Sequence, residues 1–536
     1  MFDHAFPAID PATLKSWLHD GQELALLDVR EAGQFGEDHL FYAIPLPYSV
    51  LEAEIERLAP RKSVRVVVYG DATTQGVVQR CAAALSALGY TACHVLQGGI
   101  EAWKAAGFTT FAGVNLPSKT FGELAEHAWH TPRVTAQQLH AWMQEPDRRF
   151  VVLDGRPVDE FRKMSIPGAI CCPNGELALR IQELVPDAET AIVINCAGRT
   201  RSIIGAQTLI NLGIPNPVYA LENGTQGWYL ADFALEHGAD RRYPVEISPA
   251  SLQQARARAN LVRERFDIPS VDAATLADWL AGDQYSVFVC DVRTREEFER
   301  AALPPVVQHT PGGQLIQATD QYAGVRGGRI VLCDFDAIRA PVVASWLKQL
   351  GWSVFLLSQT DADTLAALPQ PKRSQPVGGS VPPLPAPAVV ELLNEGATLV
   401  DLRQSMQYRA GHVQGALWAV RPMLDTVLPV ALDNPVILLG TDIQRLAWVA
   451  RDLTRRGFRR VYICTESLGA LRDAGCLIEA TPDTPPDAQC IDYLFFVHDR
   501  HDGNKDAARQ YLAWETGLVA QLDAQERAGF VLPVQA

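Results

Sequence analysis

The residues best equipped for chemistry form one short stretch, Cys196-Ala197-Gly198-Arg199-Thr200-Arg201-Ser202. They follow an apolar run from Ala191 to Asn195 and precede a segment, Ser202 to Leu212, with helical spacing and a C-capping glycine at Gly213. That order puts a cysteine at the carboxyl end of a parallel strand, in a tight loop feeding a helix, where open α/β sheets bind ligands. Successive backbone N–H groups of such a loop converge on an anion, and the helix N-terminus adds its positive end. Both favour a thiolate, the form of cysteine that attacks. The expected chemistry is nucleophilic catalysis by Cys196, with Arg199 and Arg201 adding positive charge in a chain of net charge -15. A core thiol is the bland alternative, but a core thiol does not need the Gly-Arg-Thr-Arg that follows. Loop length narrows the chemistry further. Four residues lie between Cys196 and Arg201, a Cys-x4-Arg spacing. Phosphatase cradles use Cys-x5-Arg, so the shorter ring is sized for a sulfane sulfur or a persulfide, and a phosphatase-like hydrolase is disfavoured.

The elements that must hold this loop recur along the chain. A signature Asp-x-Arg-x-x-x-[Glu/Gln]-[Phe/Tyr] starts at Asp28, Asp154, Asp291 and Asp401, each time at the end of an apolar run. A repeat this long is a series of small domains, each with its own core. The second module reads most clearly. Thr135 to Gln138 has the form of a capping box opening a helix through Trp142. Val151 to Leu153, the segment after Ile166-Pro167-Gly168-Ala169, Ala191 to Asn195 and Val218 to Leu221 read as short strands between helical stretches. Alternation of this kind predicts an α/β fold with a mostly parallel sheet and helices on both faces. The landmarks divide the chain into modules at 1–112, 131–237, 269–366 and 388–483. Between and beyond them lie a helical connector at 238–268, a proline-rich linker at 367–387 and a helical tail at 484–536.

Composition limits the classes of function. The acidic balance argues against nucleic-acid or anionic-membrane partners, which need clustered positive charge. No run approaches the roughly 18–20 apolar residues that cross a bilayer, and the first residues do not read as a secretory signal. Ten cysteines without CxxC pairs or zinc-ligand spacing predict reduced thiols, no metal, no cofactor and a cytoplasmic setting.

The loop, the repeated Asp-x-Arg signature, the Ile-Pro-Gly-Ala segment and the Gly227-Trp228 ending together resemble rhodanese-family sulfurtransferase domains. The resemblance runs to about Asp483, and the whole is similar to bacterial proteins with four rhodanese domains in one chain. It implies five mostly parallel strands per module. It also implies that Cys196 takes sulfane sulfur from a small-molecule donor such as thiosulfate or a persulfide. The sulfur then passes to a thiol, cyanide or a protein acceptor. Ala197, Gly198, Arg199, Thr200 and Arg201 cradle that sulfur, the two arginines orienting an anionic donor. Asp154, Arg156 and Trp228 are expected to brace the fold. The loops matching Cys196-x4-Arg201 elsewhere begin at Gly70, Asp334 and Gly440, so those three modules are expected to be inactive. Cys333, one place before its loop, is expected in the core. Cys171 and Cys172 are either small strand residues or a second thiol for exchange with Cys196. Adjacent strand residues face opposite ways, so at most one can point at the site. His498 and His501 read as exposed tail residues. A persulfide-carrying interaction scaffold with little free turnover is the competing function.

Overall fold

The computed structural model describes residues 6–371, 382–428, 431–495 and 504–533. Around Cys196 the strand order is Arg133–Val134, Val218–Leu221, Ala191–Asn195, Phe150–Asp154, Ile170–Cys171, all parallel. The central strand Ala191–Asn195 is buried along its whole length. Ile192 and Ile194 pack with Leu153, Leu177 and Ile203, while Val193 packs with Val152, Phe161 and Trp228 on the opposite face. Helices cover both faces, so the strand reads as an unbroken apolar run and not as an alternation. The expected capping box is present: Thr135 Oγ1 accepts from the Gln138 N–H, and Gln138 Oε1 accepts from the Thr135 N–H. Caps of this type stabilise a helix by about 1 kcal/mol.

Two further sheets repeat the order. One is Ala8–Ile9, Cys93–Leu96, Arg65–Tyr69, Leu24–Asp28, Ile44–Pro45. The other is Ser270–Val271, Ser353–Leu357, Arg329–Cys333, Val287–Asp291, Val307–His309. The fold is α/β, as expected, with one correction to the strand count. The last sheet has four strands, Leu417–Trp418, Thr398–Asp401, Val436–Leu439 and Val461–Cys464. Its fifth position holds a single backbone bond, from the Leu384 N–H to the Ile463 carbonyl at 2.8 Å. Pro382, Pro383 and Pro385 flank Leu384 and have no N–H to extend a ladder.

Two expected boundaries also move. A helix opens at Ala386–Asn394 with Pro387 in its first turn, inside the stretch read as linker, and residues 372–381 lie outside the described residues. The connector is helical over Pro249–Arg265 only. Before it, the chain lies along the open edge of Ile170–Cys171, where the Cys171 N–H donates to the Arg241 carbonyl and the Tyr243 N–H to the Cys171 carbonyl. An unpaired strand edge takes backbone partners in preference to a free helix.

The signature pairs face inward. Asp28, Asp154, Asp291 and Asp401 are fully buried, and each receives a forked bond from the arginine two residues on. The same guanidinium reaches the carbonyl that ends the next short helix: Asp38 for Arg30, Met164 for Arg156, Gly411 for Arg403. Arg293 lies over the Phe335 ring at 3.6 Å. Trp228 donates its indole N–H to the Ala234 carbonyl, as Trp103 does to Thr109. The sheets share cores: Leu51 and Val68 pack in one cluster with Phe288 and Leu332, and Ile194 in another with Ile338 and Val342. Arg339, wholly buried, bonds both Glu176 and Glu297. Among the described residues no helix is long and apolar enough to cross a membrane.

Candidate active site

Cys196 follows directly on Asn195, which is in register with Asp154 and donates Nδ2–H to Asp154 Oδ2 at 2.6 Å. The Asp154–Arg156 brace therefore fixes the strand end that presents the thiol. Three carbonyls of the loop are occupied by hydrogen bonds from outside it. Cys196 C=O accepts from the Thr225 N–H at 2.8 Å, Ala197 C=O from the Gln226 N–H at 3.1 Å, and Arg201 C=O from Asn174 Nδ2 at 2.8 Å. Gly224, at φ 54°, allows this approach: a Cβ there would lie 2.2 Å from the Cys196 carbonyl oxygen. Among the described residues, none accepts a hydrogen bond from the amides of residues 197–202.

The sister loops differ at this point. Cys333 aligns with Asp291 as Asn195 aligns with Asp154, so Asp334 stands where Cys196 does. Its Oδ2 accepts from the amides of Ile338, Arg339 and Ala340, at 2.7, 2.6 and 3.3 Å. In the first module Gly70 holds the position, and Asp71 Oδ1 accepts from the Thr73 and Thr74 amides. In the fourth, beyond Gly440, Asp442 Oδ1 accepts from the Gln444 and Arg445 amides. Each of these three loops carries a carboxylate of its own on its amides, and the Cys196 loop carries none.

The two loop arginines are engaged, which revises the expectation of surplus positive charge. Arg199 makes a forked bond to Glu123, at 2.7 and 2.9 Å, and also bonds Glu126. Arg201 makes a fork to Glu160, both arms 2.8 Å. Burial raises the Glu123 carboxyl above its ordinary range, and Arg199 opposes that shift. For Arg201 burial works against the charge, and Glu160 more than offsets it. Glu123 and Glu126 come from the helix Leu116–Trp129, which lies between the modules read from sequence.

That helix and a second one, Lys505–Gln521 in the tail, cover the loop. Cys196 is 2% exposed, and residues 197–200 are buried too, whereas Ala72, Thr73, Ala337 and Thr441 in the sister loops are exposed. Thr200 Oγ1 donates to Glu515 Oε1 at 2.9 Å, and Lys119 Nζ bonds the same oxygen at 2.9 Å and the Tyr511 hydroxyl. A Cβ on Gly198 would lie 2.8 Å from Glu515 Oε2 and 3.2 Å from Tyr511. The tail is pinned by Lys505 on Asp232, by the Trp514 indole on the Ala112 carbonyl, and by Lys15 on Asp523 and Glu526. His498 and His501 lie outside the described residues.

The other thiols of this module are core residues. Cys171 packs with Val134, Phe161 and Trp228, and burial pushes its thiol up to about 12. Cys172 packs on the opposite face with Leu177 and Ile203, and burial lifts it well above the usual thiol range. Neither shares a disulfide with Cys196, and all ten cysteines are free. Cys333 is fully buried at its strand end.

The family model described as "Rhodanese-like domain" matches residues 10–106, 135–231 and 386–473. The third five-stranded sheet, with the same strand order, lies between the matched blocks. A "Probable 3-mercaptopyruvate sulfurtransferase" of Pseudomonas aeruginosa is 28% identical over 219 residues, covering 35% of this chain and 71% of the relative. A "Thiosulfate sulfurtransferase GlpE" of Coxiella burnetii is 30% identical over 103 residues, 19% of this chain and 92% of the relative. The crystal structure of a thiosulfate sulfurtransferase from Pseudomonas aeruginosa superposes with a TM-score of 0.90 at 37% identity, covering 98% of this chain and 99% of that one. By the three matched blocks and the end-to-end structural likeness, the chain belongs to the rhodanese-like domain family.

Proposed function

We propose that the chain is a sulfurtransferase that carries sulfane sulfur as a persulfide on Cys196. The Cys196 thiolate attacks the outer sulfur of a donor. The donor's S–S bond breaks, and its electron pair leaves with sulfite when the donor is thiosulfate. The new Cys196 persulfide holds its outer sulfur among the amides of residues 197–201, donors positioned before any charge arrives. A thiol acceptor as its thiolate, or cyanide, then attacks that outer sulfur, and the Cys196 thiolate leaves with the bonding pair. The double-displacement scheme needs no cofactor.

One observation carries this reading. Three of the four loops hold a carboxylate of their own on the loop amides, so the amide ring is suited to negative charge. The loop with the cysteine leaves those amides to a ligand. On the same grounds the other three modules do not transfer sulfur. The close covering of Cys196 favours a second reading, a persulfide carrier that releases sulfur to a bound protein acceptor with little free turnover. Thiocyanate formation from thiosulfate and cyanide tests the first: Cys196→Ala abolishes it, and activity retained in that variant overturns the assignment. Rapid loading of one sulfur with slow thiocyanate release selects the carrier reading.

A further inference from the structure

The charges around Cys196 come from four separate parts of the chain. Arg199 and Arg201 belong to the loop, Lys119, Glu123 and Glu126 to the interposed helix, Glu160 to the signature helix and Glu515 to the tail. The cations are Lys119, Arg199 and Arg201. The carboxylates are Glu123, Glu126, Glu160 and Glu515, and Arg133 also reaches Glu126 at 3.5 Å. Glu123, Glu126 and Glu160 are each bonded to a loop arginine. Glu515 differs from these: it comes from the tail helix, its side chain is wholly buried, and it stands against Gly198 and Thr200 of the loop itself.

We propose that Glu515 is a specificity-determining residue of the Cys196 site, disfavouring doubly charged sulfane donors relative to singly charged ones. The favoured class is the organic thiosulfonate or persulfide monoanion, and the disfavoured class is the thiosulfate dianion. The inference rests on the sulfur-transfer reading above. Coulomb energy is linear in the donor's charge, so a fixed carboxylate acts on the logarithm of a dianion's affinity twice as strongly as on a monoanion's. Burial of the Lys119–Glu515 pair limits screening by salt.

Thiosulfate and methanethiosulfonate make the comparison, since both offer a terminal sulfane sulfur on a sulfonyl group and differ by one charge. Glu515→Gln keeps an acceptor for Lys119 and Thr200 and removes the charge. It raises kcat/KM for thiosulfate about tenfold and for methanethiosulfonate about threefold, mainly through KM. Lys119→Gln shifts both donors the opposite way with the same two-to-one ratio of logarithms, and the double variant returns close to the parent. Equal factors for the two donors, or no change, overturn the inference, because loosened packing does not sort donors by charge. Cys196→Ala separates the two claims. If it keeps activity, the sulfur-transfer assignment fails; if it is inactive while the factors are equal, only the role of Glu515 fails.

Discussion

Replacing Arg156 with methionine separates a brace from a catalytic group. Asp154 is fully buried and holds four bonds: the Arg156 amide and Nε on Oδ1, a guanidinium N–H and Asn195 Nδ2 on Oδ2. Methionine fills much of the volume but removes both charge-assisted bonds and the cap on the Met164 carbonyl. Leaving a buried charge without its partner costs about 3–5 kcal/mol. The opening equilibrium of the second module then rises by roughly two to four orders of magnitude, at 1.4 kcal/mol for each tenfold. Cys172 is a built-in probe, because it is buried in that module's core and reacts with an alkylating reagent only when the module opens. Cys290, buried in the third module, serves as the reference. The expected result is faster alkylation of Cys172 by that factor with Cys290 unchanged. Asp154→Asn combined with Arg156→Met recovers most of the loss, since no lone charge remains. Unchanged Cys172 labelling alongside lost sulfur transfer refutes the brace and makes Arg156 a participant in the chemistry.

Three other outcomes follow from the same contacts. Asp334→Ala strips the acceptor from four amides of the third module, those of Asp336, Ile338, Arg339 and Ala340, destabilising it by about 2–3 kcal/mol, and added sulfate restores much of that in a melting experiment. A sulfate response equal to the parent's contradicts the filled-cradle account. Gly198→Ala drives a Cβ against Glu515, which is held in place by Lys119 and Thr200. It lowers kcat and exposes the tail helix to proteolysis, at a cost of about 1–3 kcal/mol; full activity with an uncut tail contradicts it. Burial holds the Glu31 carboxyl up at about 7, so the folded chain keeps a proton that the unfolded chain releases from about pH 4.5 upward. Relative to Glu31→Gln, the parent therefore loses stability as pH rises from 4.5 to 7 and no more beyond. A constant difference in melting temperature across that range refutes the shift.

Local signals were legible and long-range ones were not. The Thr135 capping box and the strand ending at Asn195 depend on residues close in sequence, and spacing expressed them, whereas recurrence in four copies marked Asp154 and Arg156 as structural without giving their fork. The covering of the loop joins Arg199 to Glu123 and Thr200 to Glu515 across 76 and 315 residues, and no period or motif links such positions. The expected surplus of positive charge failed for that reason: loop residues announce their own charge but not their partners'. Leu384 shows a subtler limit. Its prolines signalled an extended linker, but the single backbone bond at the sheet edge has no sequence signature.

The most direct measurement locates the transferred sulfur. The full-length chain, exposed to a sulfane donor, freed of excess and digested without reductant, is mapped cysteine by cysteine by mass spectrometry. The account predicts one added sulfur atom on the Cys196 peptide, released by cyanide as one equivalent of thiocyanate. Sulfur found on Cys171, Cys172 or Cys333, or on no cysteine while transfer proceeds, contradicts it.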